Sequence, residues 1–321
     1  MRLGLLSTAR INDAILAAAA ESDRVDVVAV ASRDEERAAL YADEHGIARA
    51  HGSYEALLGD SDVDAIYVSL PNALHHEWTM SALRAGKHVL CEKPYSRDPA
   101  DVEQAFATAR SAGLVLMEAF MYRHHPQTHA ITALVRDGAL GKLLSVRSTF
   151  TFPLASLTDV RAQPELAGGA LMDVGCYCIS GTRLIAGEPL SVFGTETRGR
   201  TRVDMAFYGT MQFANDVVGQ FEASFVAPQR QALEVVGDEA VLMAFAPWRT
   251  DWPGELRVVR PQGSDVVPVP SVDAYVLELE NMADAITGAA PPLLEGDDAL
   301  GQARTVDALY RSAESGAVVR L

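Results

Sequence analysis

The sequence predicts an α/β amino-terminal half built on a doubly wound parallel sheet, then an α+β half with a large, mostly antiparallel open sheet. Three observations carry that expectation. Short apolar runs alternate with helical stretches as far as Met117, as expected of repeated strand-helix-strand units. After about Tyr122 the alternation stops and long segments rich in aromatic and β-branched residues take over. Finally, the run Lys87-His88-Val89-Leu90-Cys91 ends in Glu92-Lys93-Pro94, a charged corner at the strand edge where α/β folds bind ligands.

In order, Arg2 to Leu6 is a strand, Ser7-Thr8-Ala9-Arg10-Ile11-Asn12 a tight turn and Ala14 to Ala20 a helix. Val25 to Ala31 is a buried type of strand that ends at Ser32-Arg33. Helices are expected over Glu35 to Glu44, His75 to Ala85 and Asp98 to Ala112, with strands over Ala65 to Val68, Lys87 to Cys91 and Leu114 to Met117. In the second half His129 to Asp137 is helical, and strands follow over Lys142 to Pro153, Met205 to Phe213, Val217 to Phe225 and Ala232 to Phe245. Arg260 to Pro270 reads as an edge strand with loops, and Tyr275 to Thr287 and Asp297 to Ser315 as closing helices. Asp173 and Tyr177, four residues apart, share one face of a helix.

The chain has 27 Lys and Arg but only three lysines, Lys87, Lys93 and Lys142. Lys93 lies between an acid and a rigid proline whose X-Pro bond is a candidate for the cis form, which would fix where the lysine points. The first strand-to-helix turn is the natural seat for a dinucleotide pyrophosphate, because a helix amino terminus favours an anion. Its glycine fingerprint is degraded to Ser7, Ala9 and Asn12. At the end of the second strand an acid would bind the ribose 2′-hydroxyl of NAD, whereas Ser32 and Arg33 suit the 2′-phosphate of NADP. NADP is therefore expected ahead of NAD. Arg33 can equally be read as a solvated residue that starts a helix beside Asp34.

In order and spacing, the motifs resemble the Gfo/Idh/MocA oxidoreductases over nearly the whole chain. The resemblance runs through Ser69-Leu70-Pro71-Asn72 with His75, Glu92-Lys93-Pro94, Glu118-Ala119-Phe120-Met121-Tyr122-Arg123 with Pro126, and Gly168-Gly169-Ala170-Leu171-Met172-Asp173-Val174-Gly175-Cys176-Tyr177. Tyr177 and the segment from Glu118 to Arg123 are similar to the branch of dihydrodiol dehydrogenase, NADP-dependent xylose dehydrogenase and glucose-fructose oxidoreductase. The resemblance implies a Rossmann domain over residues 1–122 and a substrate-binding and oligomerisation domain over 123–321. It implies Lys93, Tyr177 and Asp173 as catalytic residues. The implied cofactor contacts are Ser7, Thr8, Ala9, Arg10, Ile11, Ser32, Arg33, Ser69, Leu70, Pro71, Asn72, His75, Glu92 and Lys93. Tyr122 and Arg123 join Lys93, Asp173 and Tyr177 against the substrate.

The chemistry so implied is reversible hydride transfer between nicotinamide C4 and a carbinol of a sugar or cyclic diol, in a cleft between the domains. Lys93 could serve as base at neutral pH if burial and the cationic nicotinamide lower its usual pKa of about 10.4 by about two to three. Otherwise Lys93 stays charged and Tyr177 shuttles the proton, with Asp173 orienting one or the other. A ketoreductase of deoxysugar or natural-product biosynthesis is the alternative. A silent dinucleotide-sensing regulator is a further one, which retention of Lys93, Asp173 and Tyr177 speaks against.

Composition limits the other classes. The chain of 321 residues is 49% hydrophobic and 22% charged, which suits two soluble domains. A net charge of −16 argues against nucleic acid, and no signal pattern or bilayer-length apolar run is present, so a cytoplasmic enzyme is expected. With so acidic a chain, a phosphate-rich cofactor depends on local cations such as Arg10 and Arg33. Three cysteines, including Cys176 and Cys178, fit neither a disulfide framework nor a zinc site. His124, His125 and His129 are read as satisfied or exposed side chains, with no metal expected, and His76 as facing solvent. The Trp248 to Trp252 stretch reads as an aromatic sugar platform or an ordinary loop. Alternating Met205, Phe207, Met211 and Phe213 suggest a sheet face covered by another copy, giving a homodimer or a dimer of dimers, or else packed on the chain's own helices.

Overall fold

The computed structural model describes residues 1–249 and 254–321 and divides into two compact units, Met1–Met121 with Asp273–Leu300, and Tyr122–Val272 with Gly301–Leu321. The first unit starts with β1 (Arg2–Leu5), α1 (Asn12–Ala20), β2 (Asp26–Ala31), α2 (Glu35–His45), β3 (Arg49–His51) and α3 (Tyr54–Leu58). It continues with β4 (Ala65–Val68), α4 (His75–Arg84), β5 (His88–Glu92), α5 (Pro99–Ala112) and β6 (Leu116–Ala119). The strands form a parallel sheet in the order β3-β2-β1-β4-β5-β6, so the chain reverses direction between β1 and β4. Ligands of such sheets bind beyond the strand ends at that switch point. Every residue of β4 and β6 is buried, as both faces of the sheet are covered by helices.

Local chemistry sets the helix ends. The Asp34 carboxylate accepts the N–H of Arg37 to cap α2, which stops at Gly46 in the left-handed region. Asp98 caps α5 in the same way, with Pro99 in its first turn.

The second unit begins with α6 (Pro126–Arg136) and β7 (Leu143–Thr151). A π-helical turn, Leu171–Gly175, then runs directly into α7 (Cys176–Ala186). The strands β8 (Ser191–Arg198), β9 (Asp204–Gln212), β10 (Val218–Ser224), β11 (Arg230–Gly237), β12 (Val241–Phe245), β13 (Leu256–Arg260) and β14 (Gly263–Val267) follow. The chain closes with α8 (Ala274–Thr287) in the first unit, α9 (Gly296–Ser315) and β15 (Val319–Arg320). The sheet order is β14-β13-β12-β11-β7-β10-β9-β8-β15, antiparallel apart from the β7–β10 pair. Strand β14 lies at the edge, as its proline-rich surroundings suggest.

Three details depart from the sequence-based expectations. Ala232 to Phe245 is two strands, because Gly237 donates its N–H to the Ala240 carbonyl and turns the chain into a hairpin. The small elements β3 and α3, and the strand β8, lacked a periodic signal long enough to read. Met205, Phe207, Met211 and Phe213 do not form an open face: each is at most 8% exposed within this single chain. The opposite face of the sheet carries the exposed rings, Phe193, Tyr208 and Phe245.

Candidate active site

In the first unit the corner after β5 is pinned from several sides. The Lys93–Pro94 peptide bond is cis. Glu118, which is buried at the end of β6, accepts the N–H of Tyr95 at 2.8 Å. His75, the first residue of α4 and wholly buried, places Nδ1 2.9 Å from the Pro94 carbonyl and Nε2 2.8 Å from the Leu70 carbonyl. Burial lowers the His75 pKa and the nearby Lys93 ammonium lowers it further, while the two carbonyls oppose them. A neutral imidazole has a single N–H, so it can donate to only one of those carbonyls at a time. The buried Tyr67 donates its hydroxyl to the Glu92 carboxylate. Lys93 is thus half-buried between two residues whose neighbours hold them in place. The other lysines differ: Lys87 is buried and donates to the Asp60 and Val63 carbonyls, and Lys142 is exposed.

Ser7, after β1, shares a 2.7 Å hydrogen bond with Ser69, after β4, which ties together the two loops at the switch point. Asn12 replaces a glycine of the usual fingerprint by tucking inside the turn, where its Nδ2 donates to the Ser7 carbonyl at 2.8 Å. Thr8, Ala9 and Ile11 are partly exposed around it, and Arg10 projects into solvent. Leu70 is buried beside Ser69, while Pro71 and Asn72 are half-buried.

At the end of β2, Ser32 is buried and accepts the N–H of Asp34, and Arg33 is exposed. Arg37, one turn further along α2, donates Nε to the Thr8 hydroxyl at 2.8 Å. Sequence reasoning passed over Arg37, although its position four residues after Arg33 on a helix was the available signal. Beside Arg37 lies a hollow of about 370 Å³ lined by Thr8, Asp34, Glu36, Arg37, Leu40, Tyr41 and Glu44. Carboxylates share its rim, but that of Asp34 is engaged with the N–H of Arg37. At the strand end itself the buried Ser32 hydroxyl with the Arg33 and Arg37 guanidinium groups nearby suits a phosphate monoester.

In the second unit Asp173 lies in the π-helical turn and Tyr177 in the first turn of α7. Single π turns recur at functional sites, where they re-aim side chains. Tyr177 is 7% exposed, with the rings of Tyr122, Phe150 and Trp248 centred 5.7, 5.5 and 6.3 Å away. Asp173 accepts a 2.7 Å bond from Arg161 Nε, and the two form an ion pair. Arg161 itself is oriented by Asp159 at 3.3 Å. Nothing in the spacing of the sequence could have linked Arg161 to Asp173, since it stands in a single short 3-10 turn, Val160–Ala162, too brief to leave a periodic signal.

Tyr122 and Arg123 are both buried, and both donate to the Ser180 hydroxyl of α7, at 2.7 and 3.3 Å. Trp248 is wholly buried, donates Nε1 to the Thr149 carbonyl and packs over Gly181, where any Cβ would stand 2.6 Å from the indole. It is therefore a wall of the Tyr177 cluster and not an exposed sugar platform; Trp252 lies outside the described residues. His125 caps α6 through its own ring, His129 is exposed, and burial holds His124 neutral with its pKa lowered to about 3. His76, expected in solvent, is half-buried instead, its ring between Tyr95 and Gln104 at 3.0 Å each. Among the described residues no cluster of His, Cys, Asp or Glu could hold a metal ion.

Residues 2–120 match the model of an oxidoreductase family with an NAD-binding Rossmann fold, and residues 128–243 match the Gfo/Idh/MocA carboxy-terminal domain. The chain is 39% identical, over the full length of both, to D-xylose 1-dehydrogenase (NADP(+)) 2 of Haloferax volcanii. Trans-1,2-dihydrobenzene-1,2-diol dehydrogenase of Xenopus tropicalis is 33% identical over 74% of this chain and 73% of its own. The crystal structure of a 3-ketoreductase from Actinomadura kijaniata with NADP and TDP-benzene superposes with a TM-score of 0.91, at 32% identity and 97% coverage of each chain.

Proposed function

Because the chain belongs to the Gfo/Idh/MocA oxidoreductase family, we propose that it is an NADP-dependent dehydrogenase that oxidises a carbinol of an aldose sugar or cyclic diol. The observation that carries this reading is the pinned Lys93 corner. A lysine fixed through Glu118 at Tyr95, His75 at Pro94 and Tyr67 at Glu92 is held as an acid-base group must be. NADP accepts the hydride when bound. Ser32, Arg33 and Arg37 hold its 2′-phosphate, with NAD the poorer cofactor for want of that contact, and the turn from Ser7 to Ile11 with Ser69 to Asn72 carries the rest. Lys93 Nζ, as the neutral amine it becomes with the cationic nicotinamide beside it, takes the hydroxyl proton as the carbinol C–H leaves as hydride, so the alcohol becomes a carbonyl. On the second unit Tyr177 is assigned a hydrogen bond to the substrate and Asp173 with Arg161 its hydroxyls, while Tyr122 and Arg123 hold α7 through Ser180.

We assign association to the exposed face of the second sheet, where Phe193, Tyr208 and Phe245 are 40, 47 and 43% exposed. Rings at that exposure support a homodimer, or a dimer of dimers, joined sheet to sheet. Three free, buried cysteines support residence in a reducing compartment such as the cytoplasm, and among the described residues no helix is long and apolar enough to cross a membrane. The test is NADP+ reduction across aldoses, inositols and cyclic diols, with NAD+ in parallel. Turnover of an aldose such as D-xylose with NADP+ is expected. Inactivity on the whole panel, joined to NADPH-dependent reduction of a keto sugar nucleotide, would replace this reading with a ketoreductase.

A further inference from the structure

Asp204 opens β9 behind the segment that presents Asp173 and Tyr177, and it is 3% exposed. Its Oδ2 accepts the N–H of Leu171, at the start of the π-helical turn, at 2.7 Å. Its Oδ1 accepts the hydroxyl of Tyr310, from α9, at 2.9 Å. The two bonds tie the turn to α9 through one carboxylate. Close packing leaves no slack. A Cβ at Gly169, whose φ of +129° suits glycine, would lie 2.1 Å from Asp204 Oδ1 and 3.1 Å from the Tyr310 hydroxyl.

We propose that Asp204 is a positioning residue whose ionisation sets how firmly the Leu171–Tyr177 segment is held, and with it the placement of Tyr177. Ionised, Asp204 gives Leu171 a charge-assisted acceptor at a helix amino terminus, where the peptide dipoles favour an anion. Protonated, it keeps a neutral acceptor for Leu171 and turns its O–H toward Tyr310, so the latch persists but slackens. Burial raises its pKa to about 7, against the donations from Leu171 and Tyr310. Charged groups near it include Glu196 of β8, which raises the value, and Arg198, which pairs with Glu196 at 2.6 Å and also senses Glu314 of α9. Both latch states are therefore populated near neutral pH.

This inference rests on the proposed role of Tyr177, and its test separates the two. The Leu171 amide signal in a 1H–15N spectrum should titrate near pH 7 in the wild type and stay fixed in Asp204→Asn, which mimics the protonated latch at every pH. The ratio of wild-type to Asp204→Asn turnover, in which the titration of Lys93 common to both cancels, should rise from about one at pH 6 to about five- to tenfold at pH 8. Tyr310→Phe removes one donor, raises the Asp204 pKa and should move the acid limb of the wild-type profile toward higher pH. An Asp204→Asn turnover that keeps a constant ratio to the wild type across that range, or a Leu171 amide that does not titrate, overturns the proposal. Should Asp204→Asn not fold, an unmoved acid limb in Tyr310→Phe overturns it equally. Absence of all sugar and diol turnover, with the Leu171 titration intact, would instead count against the dehydrogenase reading.

Discussion

The Glu118 carboxylate grips the chain two residues beyond Lys93, accepting the N–H of Tyr95 at 2.8 Å from the end of the neighbouring strand. Because Glu118 is 2% exposed, its removal would leave a buried N–H without that acceptor, at a cost of about 1–3 kcal/mol. Glu118→Ala should lower kcat at least about tenfold and leave the KM for NADP+ within about threefold, since the loss falls on positioning. Glu118→Gln keeps an amide oxygen as acceptor and should recover most of the rate. Steady-state kinetics of the pair checks this; equal rates in both variants and the wild type would show that the corner needs no anchor there.

Cofactor choice should divide between two arginines. Arg33→Ala and Arg37→Ala should each raise the KM for NADP+ by about ten- to hundredfold, the equivalent of a charge-assisted contact of about 1.5–3 kcal/mol. The KM for NAD+ should change by less than about twofold, as no 2′-phosphate is present to lose the contact. Parallel titrations with both cofactors provide the check. Equal losses for NADP+ and NAD+ in both variants would remove the arginines from phosphate recognition.

Glu278 of α8 sets a pH dependence of stability. It is wholly buried, neither of its carboxyl oxygens has a hydrogen-bond partner among the described residues, and burial with the charges of Glu92 and Asp273 pushes its pKa well above the usual range. A carboxyl raised in the folded state stabilises the fold below its unfolded pKa of about 4.3, and that contribution is lost as pH rises toward the folded value. Glu278→Gln abolishes this dependence. Its unfolding free energy should therefore gain on the wild type steadily from about pH 5 to 8, at up to about 1.4 kcal/mol per pH unit, and its Tm should rise relative to the wild type over the same range. Parallel Tm curves across that range would place the Glu278 carboxyl in contact with water.

Much of this was legible in the chain. Alternating apolar runs and helices of regular length gave the parallel sheet, because both signals are local and repeat. Glu92-Lys93-Pro94 was legible for the same reason, since a lysine, an acid and a proline at a strand end form a contiguous pattern. The supports of that corner were not. Glu118 and His75 reach it across 23 and 19 residues of chain, and no period connects them. Arg161 and Asp204 reach the Leu171–Tyr177 segment from a short 3-10 turn and a distant strand, so only tertiary structure reveals them. The apolar alternation of Met205, Phe207, Met211 and Phe213 marked a buried face correctly, but periodicity cannot say whether a chain's own helices or a second copy covers it.

In the proposed reaction Lys93 takes the proton when hydride leaves the substrate. Single-turnover formation of NADPH from enzyme-bound NADP+ and saturating aldose isolates that event from binding and product release. For Lys93→Met the expected rate is at least about a hundredfold below wild type, with the Kd for NADP+ unchanged within about threefold. A rate within about fivefold of wild type at the same Kd would contradict it.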